Sequence, residues 1–171
     1  IFISHSHGDH IGGTVSEDGA LVFPNATVHL SAPEWEAVKS SAASDESRAA
    51  LVKALEWKVD AFAPGAQIVP NVEKAVEIKG HTPGHSGYLI TSGSESLLYI
   101  GDSAHHYIIS VQEPNWTIQF DHDAPTAQAS RSELIATNAE SGQRIYGVHF
   151  PFPGLGRFSR DGERFVWTAE Q

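Results

Sequence analysis

The chain has 171 residues, 40% of them hydrophobic and 19% charged, which suits one folded domain with its own core and excludes a disordered chain. Its formal charge is −10, from 11 basic and 21 acidic side chains, which argues against a nucleic-acid backbone as partner. There is no cysteine, so disulfides, thiolate metal sites and cysteine nucleophiles are excluded, and no apolar run approaches the length of a membrane span.

The apolar run Ile1-Phe2-Ile3 predicts a buried strand, and Ser4-His5-Ser6-His7-Gly8-Asp9-His10 stands at its end. A strand buried on both faces needs neighbours. The opening without Met or a leading loop therefore predicts that an upstream stretch of the fold is missing, and with it any localisation signal. Three imidazoles and a carboxylate fall within six positions. His5 and His7 are two apart, so an extended backbone projects them to the same side. Gly8 allows a sharp turn that would aim Asp9 and His10 at a second point nearby. One segment can thus supply ligands to two adjacent cations, and imidazole with carboxylate suits zinc, manganese, iron, cobalt or nickel.

Downstream, Thr27 to Leu30 reads as a short strand. Ser31, Pro33 and Glu34 then supply a hydroxyl cap, an early proline and a first-turn acid for a helix in which Trp35 and Val38 share a face. Trp35 serves either that core or a pocket wall. A second helix is predicted after Ser44, with Leu51, Leu55 and Val59 at four-residue spacing, until Pro64-Gly65 breaks it. Gln67–Val69 and Lys74–Lys79 read as strands, followed by the turn-rich Gly80-His81-Thr82-Pro83-Gly84-His85. Gly87–Thr91 and Ser96–Ile100 form a predicted hairpin around Ser92-Gly93-Ser94. Its second arm is nearly continuously apolar, which predicts a central position, and it ends in Gly101-Asp102 with His105 and His106 beyond. A third helix starts at Asp123-Ala124-Pro125 and stops at Ser141-Gly142. Arg144–Val148 is the next strand, with His149 at its end, and a final hairpin turns at Asp161-Gly162. Strands alternating with helices predict a layered α/β (α+β) architecture in a single domain over residues 1–171.

One event recurs along the chain. A strand-like run ends and a His or Asp stands in the next turn: His5, His7, Asp9 and His10, then His81, then Asp102, then His149. As HSHGDH, GHTPGH, GDS and GVH, these stretches resemble the metallo-β-lactamase superfamily. VFPNATVHLSAPEW, GHTPGHSGY, WTIQFDHD and HFPFPGLGRF resemble its methyl parathion hydrolase branch, close to the dinuclear lactonases. The resemblance runs over essentially the whole chain. It implies an αββα four-layer sandwich, here incomplete at the N-terminus, with two divalent metal ions at the sheet edge. Zinc is the first expectation.

By the same resemblance His5, His7 and His81 hold one metal, Asp9, His10 and His149 hold the other, and Asp102 bridges. The first histidine of the GHTPGH loop, His81, is the ligand, and His85 supports it from behind. His105 replaces the tyrosine of many lactonase relatives, as in the methyl parathion hydrolase type; it would orient the leaving group, polarise the scissile bond, or simply hydrogen-bond. His29, His106 and His122 are expected to be structural or exposed.

The activity implied is hydrolysis of an ester, lactone or phosphotriester by a hydroxide activated between the metals. Asp102 or Asp9 would orient the nucleophile or take up a proton. Phe150, Phe152 and Trp35 are assigned either to core packing or to an apolar pocket for an aryl or acyl group. Ser103 has no G-x-S-x-G context for a serine nucleophile. The partner expected is a small-molecule substrate, with no nucleic acid and no membrane. Other reactions on the same scaffold are glyoxalase-type thioester hydrolysis and mononuclear iron dioxygenation. A non-enzymatic alternative is an inactive metal-binding fragment, or one that completes itself as a homodimer through the edge at Ile1-Phe2-Ile3.

Overall fold

The computed structural model describes residues 1–71 and 73–170 and arranges them as two sheets flanked by helices. In the smaller sheet, β1 (Val28–Ser31) runs parallel to β2 (Val59–Phe62), with Val28 opposite Val59. Ile1–Ile3 follows the other edge of β1: the Ile3 amide donates to the His29 carbonyl at 3.0 Å and the His29 amide to the Ile1 carbonyl at 2.7 Å. Ile3 is buried, but Phe2 is 37% exposed and stacks on the His29 ring, so among the described residues this run is covered on one face and not on both.

The larger sheet places β3 (Gln67–Val69), β4 (Glu73–Glu77), β5 (Ser86–Ser92), β6 (Glu95–Tyr99), β7 (Arg144–Tyr146), β8 (Leu155–Asp161) and β9 (Arg164–Ala169) side by side in chain order. Every pairing is antiparallel except β6 with β7, whose parallel register requires a crossover. That crossover contains α5 (Ala124–Ser141). β6 is central, as its apolar composition predicts.

Side chains along the strands alternate between two cores, as a pleated backbone requires. Val76, Leu89 and Leu98 pack with Leu134 and Ile135 of α5. Their neighbours Ala75, Tyr88 and Tyr99 pack with Phe62 of the smaller sheet. A third core joins Val28 and Leu30 to Trp35 and Val38 of α2 (Ala32–Ser41) and to Leu55 of α3 (Glu46–Leu55). These cores fill the spaces of an α–β–β–α stack. The caps follow the sequence: Ser31, Asp45 and Asp123 accept first-turn amides of α2, α3 and α5, and α5 ends at the left-handed Gly142.

Two boundaries differ from the sequence reading. α3 ends at Leu55, and Val59 belongs to β2, because pairing along β1 buries this run better than another helical turn. The Arg144–Val148 strand stops at Tyr146, where the chain turns towards His149. The short helices α1 (Gly8–Ile11) and α4 (Ile109–Gln112) were not expected. Among the described residues, no helix is long and apolar enough to cross a membrane.

Candidate metal centre

His5 and His7 leave the end of the smaller sheet, and α1 then carries Asp9 and His10; the turn expected at Gly8 is the first turn of this short helix. His81 comes from the loop between β4 and β5, Asp102 from the turn after β6, and His149 from the loop after β7. Their donor atoms gather into two overlapping groups, His5/His7/His81/Asp102 and Asp9/His10/Asp102/His149, with the atoms of each group all within 4.8 Å of one another.

Asp102 joins the groups through different oxygens. Its Oδ2 lies 3.6 Å from His5 Nε2, 3.4 Å from His81 Nε2 and 3.2 Å from His105 Nε2. Its Oδ1 lies 3.0 Å from His10 Nε2 and 3.1 Å from His149 Nε2. Asp9 Oδ2 approaches His10 at 3.4 Å and His149 at 3.9 Å.

The fit to a cation rests on how these donors face one another. His7 Nδ1 is 3.1 Å from both His5 Nε2 and His81 Nε2, a meeting of three imidazole nitrogens that protons alone satisfy poorly. His10 Nε2 and Asp102 Oδ1 are buried and near each other, yet neither has a hydrogen-bond partner of acceptable geometry. Such atoms are costly unless a cation lies between them. The nitrogen–carboxylate donor set is that of a divalent metal site.

The charges around these donors follow from burial and from one another. Burial, reinforced by His85, holds the His5 imidazole far below its usual range, so it is neutral and offers a lone pair. Burial and His81 likewise lower His7. Burial works against charge on His81 too, but Asp102 and Asp121 outweigh it and raise its pKa to about 9. Burial would raise Asp102, yet His10, His105 and His81 outweigh it and keep the carboxylate ionised far below its ordinary range.

A supporting set of residues lies behind the two donor groups. His85 is not in either donor group: its Nδ1 donates to the Ile78 carbonyl at 3.0 Å, and its Nε2 accepts the Asp102 amide at 3.0 Å. Burial and nearby His81 push its pKa down to about 4, which keeps it neutral for that double task. The buried Glu34, on the first turn of α2, accepts from Ser6 N at 2.8 Å, Ser6 Oγ at 2.6 Å, Thr82 Oγ1 at 2.7 Å and Gly84 N at 2.9 Å. It clamps together the two loops that carry His5, His7 and His81. The sequence showed Glu34 only as a first-turn acid. Asp121 accepts from His81 Nδ1 at 2.9 Å; it lies in the stretch WTIQFDHD, which the sequence marked by resemblance without assigning this acid a role.

A cleft of about 340 Å³ opens beside the centre, lined by His7, Gly8, Asp9, Asp102, His105, Phe120 and His149. His105 stacks on His149 with ring centroids 5.3 Å apart, and the Phe120 ring lies 6.1 Å from it at a tilt. The aromatic wall is therefore Phe120, which the sequence reading did not single out. The three residues it assigned lie elsewhere. Trp35 is buried in the core beneath the smaller sheet, Phe150 is buried against Phe158 and Trp167, and Phe152 is fully exposed outside the cleft. Of the other histidines, His29 pairs with Asp60 at 3.2 Å, and His106 Nδ1 accepts the amides of Ile108 and Ile109.

Residues 1–140 match the Metallo-beta-lactamase superfamily, and the chain belongs to it. Among solved structures it is similar to AidC, a dizinc quorum-quenching lactonase in complex with a product, at 32% identity and TM-score 0.88, covering 100% of this chain and 64% of that one. It is similar to the hydrolase AbOPH of the beta lactamase superfamily at 29% identity and TM-score 0.86, with the same coverage of 100% and 64%. A probable metal-dependent hydrolase from Staphylococcus aureus shares the fold at TM-score 0.78 and 19% identity, over 99% of this chain and 61% of that one. The chain thus spans less than two thirds of the length of these structures. A comparison with curated proteins gave no significant match.

Proposed function

We propose that this chain carries the dinuclear metal centre of a hydrolase acting on a small ester, lactone or phosphotriester. The observation that carries the reading is Asp102, whose two oxygens face two separate sets of imidazoles. Two divalent cations, zinc first, would supply an activated water at neutral pH and draw charge from the oxygen under attack.

The chain's own residues do the rest. His5, His7 and His81 hold one position, Asp9, His10 and His149 the other, and Asp102 fixes the spacing. His105, part-exposed in the cleft with its Nε2 3.2 Å from Asp102 Oδ2, is the candidate to orient a leaving group beside that carboxylate. Asp9 is the most exposed carboxylate of the centre and is the candidate to take up a proton. Phe120 offers an apolar face to an acyl or aryl group. The lactonase similarity favours the carboxylic ester side of this substrate range, and the net charge of −10 disfavours nucleic acid.

Metal content per chain, measured with hydrolysis of an aryl ester, a lactone and a phosphotriester, tests the reading. Two metals with chelator-sensitive turnover are expected. Asp102→Ala should lose metal and turnover together; a variant that keeps full turnover would sink the bridging role.

A further inference from the structure

Asp121 is a carboxylate with 0% side-chain exposure that neither lines the cleft nor belongs to either donor group. Its Oδ1 lies 2.9 Å from His81 Nδ1 and its Oδ2 3.4 Å from Arg131 Nη1. Arg131, on α5, is itself almost fully buried and donates to three carbonyls: Pro114 at 2.8 Å, Trp116 at 3.0 Å and Ser103 at 3.3 Å. The backbone adds to the connection, since the His122 amide donates to the His81 carbonyl at 3.0 Å and the Asp123 amide to that of Gly80 at 2.9 Å.

With one carboxylate oxygen facing the Arg131 guanidinium and the other facing His81 Nδ1, Asp121 is the acceptor and the hydrogen at their contact belongs to His81 Nδ1. Nε2, the atom in the donor group, is then free to present its lone pair. Among the described residues, His81 is the only histidine of the donor groups whose far nitrogen meets a carboxylate; that of His5 meets the Ser4 hydroxyl at 3.1 Å.

We propose that Asp121 is the positioning residue of this centre: it fixes His81 with Nε2 towards the cation and strengthens that nitrogen as a ligand, while Arg131 holds Asp121 in register. Arg131 also braces the 114–121 loop that brings Phe120 to the cleft, so one buried pair sets both a ligand and a wall. This inference rests on the metal centre proposed above.

The test is the zinc and cobalt(II) affinity of the full chain and of Asp121→Asn, by competition with a chromophoric chelator, beside the melting temperature of each metal-free protein. Expected is a loss of about 10- to 100-fold in affinity for one of the two cations, with an altered cobalt absorption spectrum and little change in metal-free melting. Affinities within about twofold of the parent would overturn the inference while leaving the centre intact. A parent chain that binds no metal would overturn both. Should the variant not fold, nitrogen NMR of the zinc-loaded parent decides: His81 protonated at Nδ1 and shielded from exchange supports the role, and metal on Nδ1 ends it.

Discussion

At Gly101, next to the carboxylate shared by the two donor groups, φ is +50° and an added Cβ would fall 2.5 Å from His85 Nε2. That nitrogen accepts the Asp102 amide, so alanine at 101 would meet both backbone strain and a clash with the support of Asp102. Gly101→Ala should cost about 2 kcal/mol, read as a lower urea midpoint, and should weaken metal binding as well. A second residue-scale expectation concerns Glu73, whose carboxyl burial raises to about 7. Its folded pKa lies above the ordinary 4.5, so the fold binds this proton more tightly than the unfolded chain does, and stability falls as pH rises from 4.5 to 7. Glu73→Gln should therefore raise the melting temperature at pH 8 and leave it nearly unchanged at pH 4. The residues of the two donor groups could be picked out in the sequence because their chemistry is local: histidines and aspartates stand where strands stop. Glu34, Asp121 and Arg131 could not, because a buried charge is recognised by partners that only the tertiary fold supplies. Arg131 left one trace, since it shares the buried face of α5 with Ala127, Leu134, Ile135 and Asn138.

Among the elements, the N-terminus of α2 does more than start a helix. Its cap Ser31 accepts the Glu34 amide at 3.3 Å and donates to the Gly84 carbonyl at 2.5 Å, and Glu34 takes four bonds from the two ligand loops. Gly84 approaches so closely that a Cβ there would meet Glu34 N at 2.2 Å. Glu34→Ala would strand two amides and two hydroxyls in a buried space, and a loss of about 3 kcal/mol is expected in chemical denaturation. The sequence Ser-x-x-Glu reads as a cap, which α2 has; what periodicity does not show is that its acid also faces sideways. The same limit explains Val59. Its four-residue spacing from Leu55 fits a helix, and only the presence of β1 alongside makes the extended pairing better.

At the scale of the molecule, the layers bring four separate loops to one point, and the centre then couples to the stability of all of them. Without a cation, His81 holds its proton up to a pKa of about 9, above the ordinary 6.5. The metal-free fold therefore gains stability from His81 below pH 6.5 and loses it as pH rises through about 9. A cation on Nε2 must displace that proton, so its affinity moves the opposite way and grows over the same interval. Zinc at about 1,000 times its Kd adds about 4 kcal/mol to the folded state. For a chain of this size, that is a rise of about 10 °C in melting temperature. Calorimetry with buffered zinc at pH 6, 7.5 and 9 should show the gap between zinc-loaded and metal-free protein widening with pH. A gap that stays constant would mean that no ligand proton leaves on binding. A gap of zero at every pH would remove the metal centre from the account of this fold.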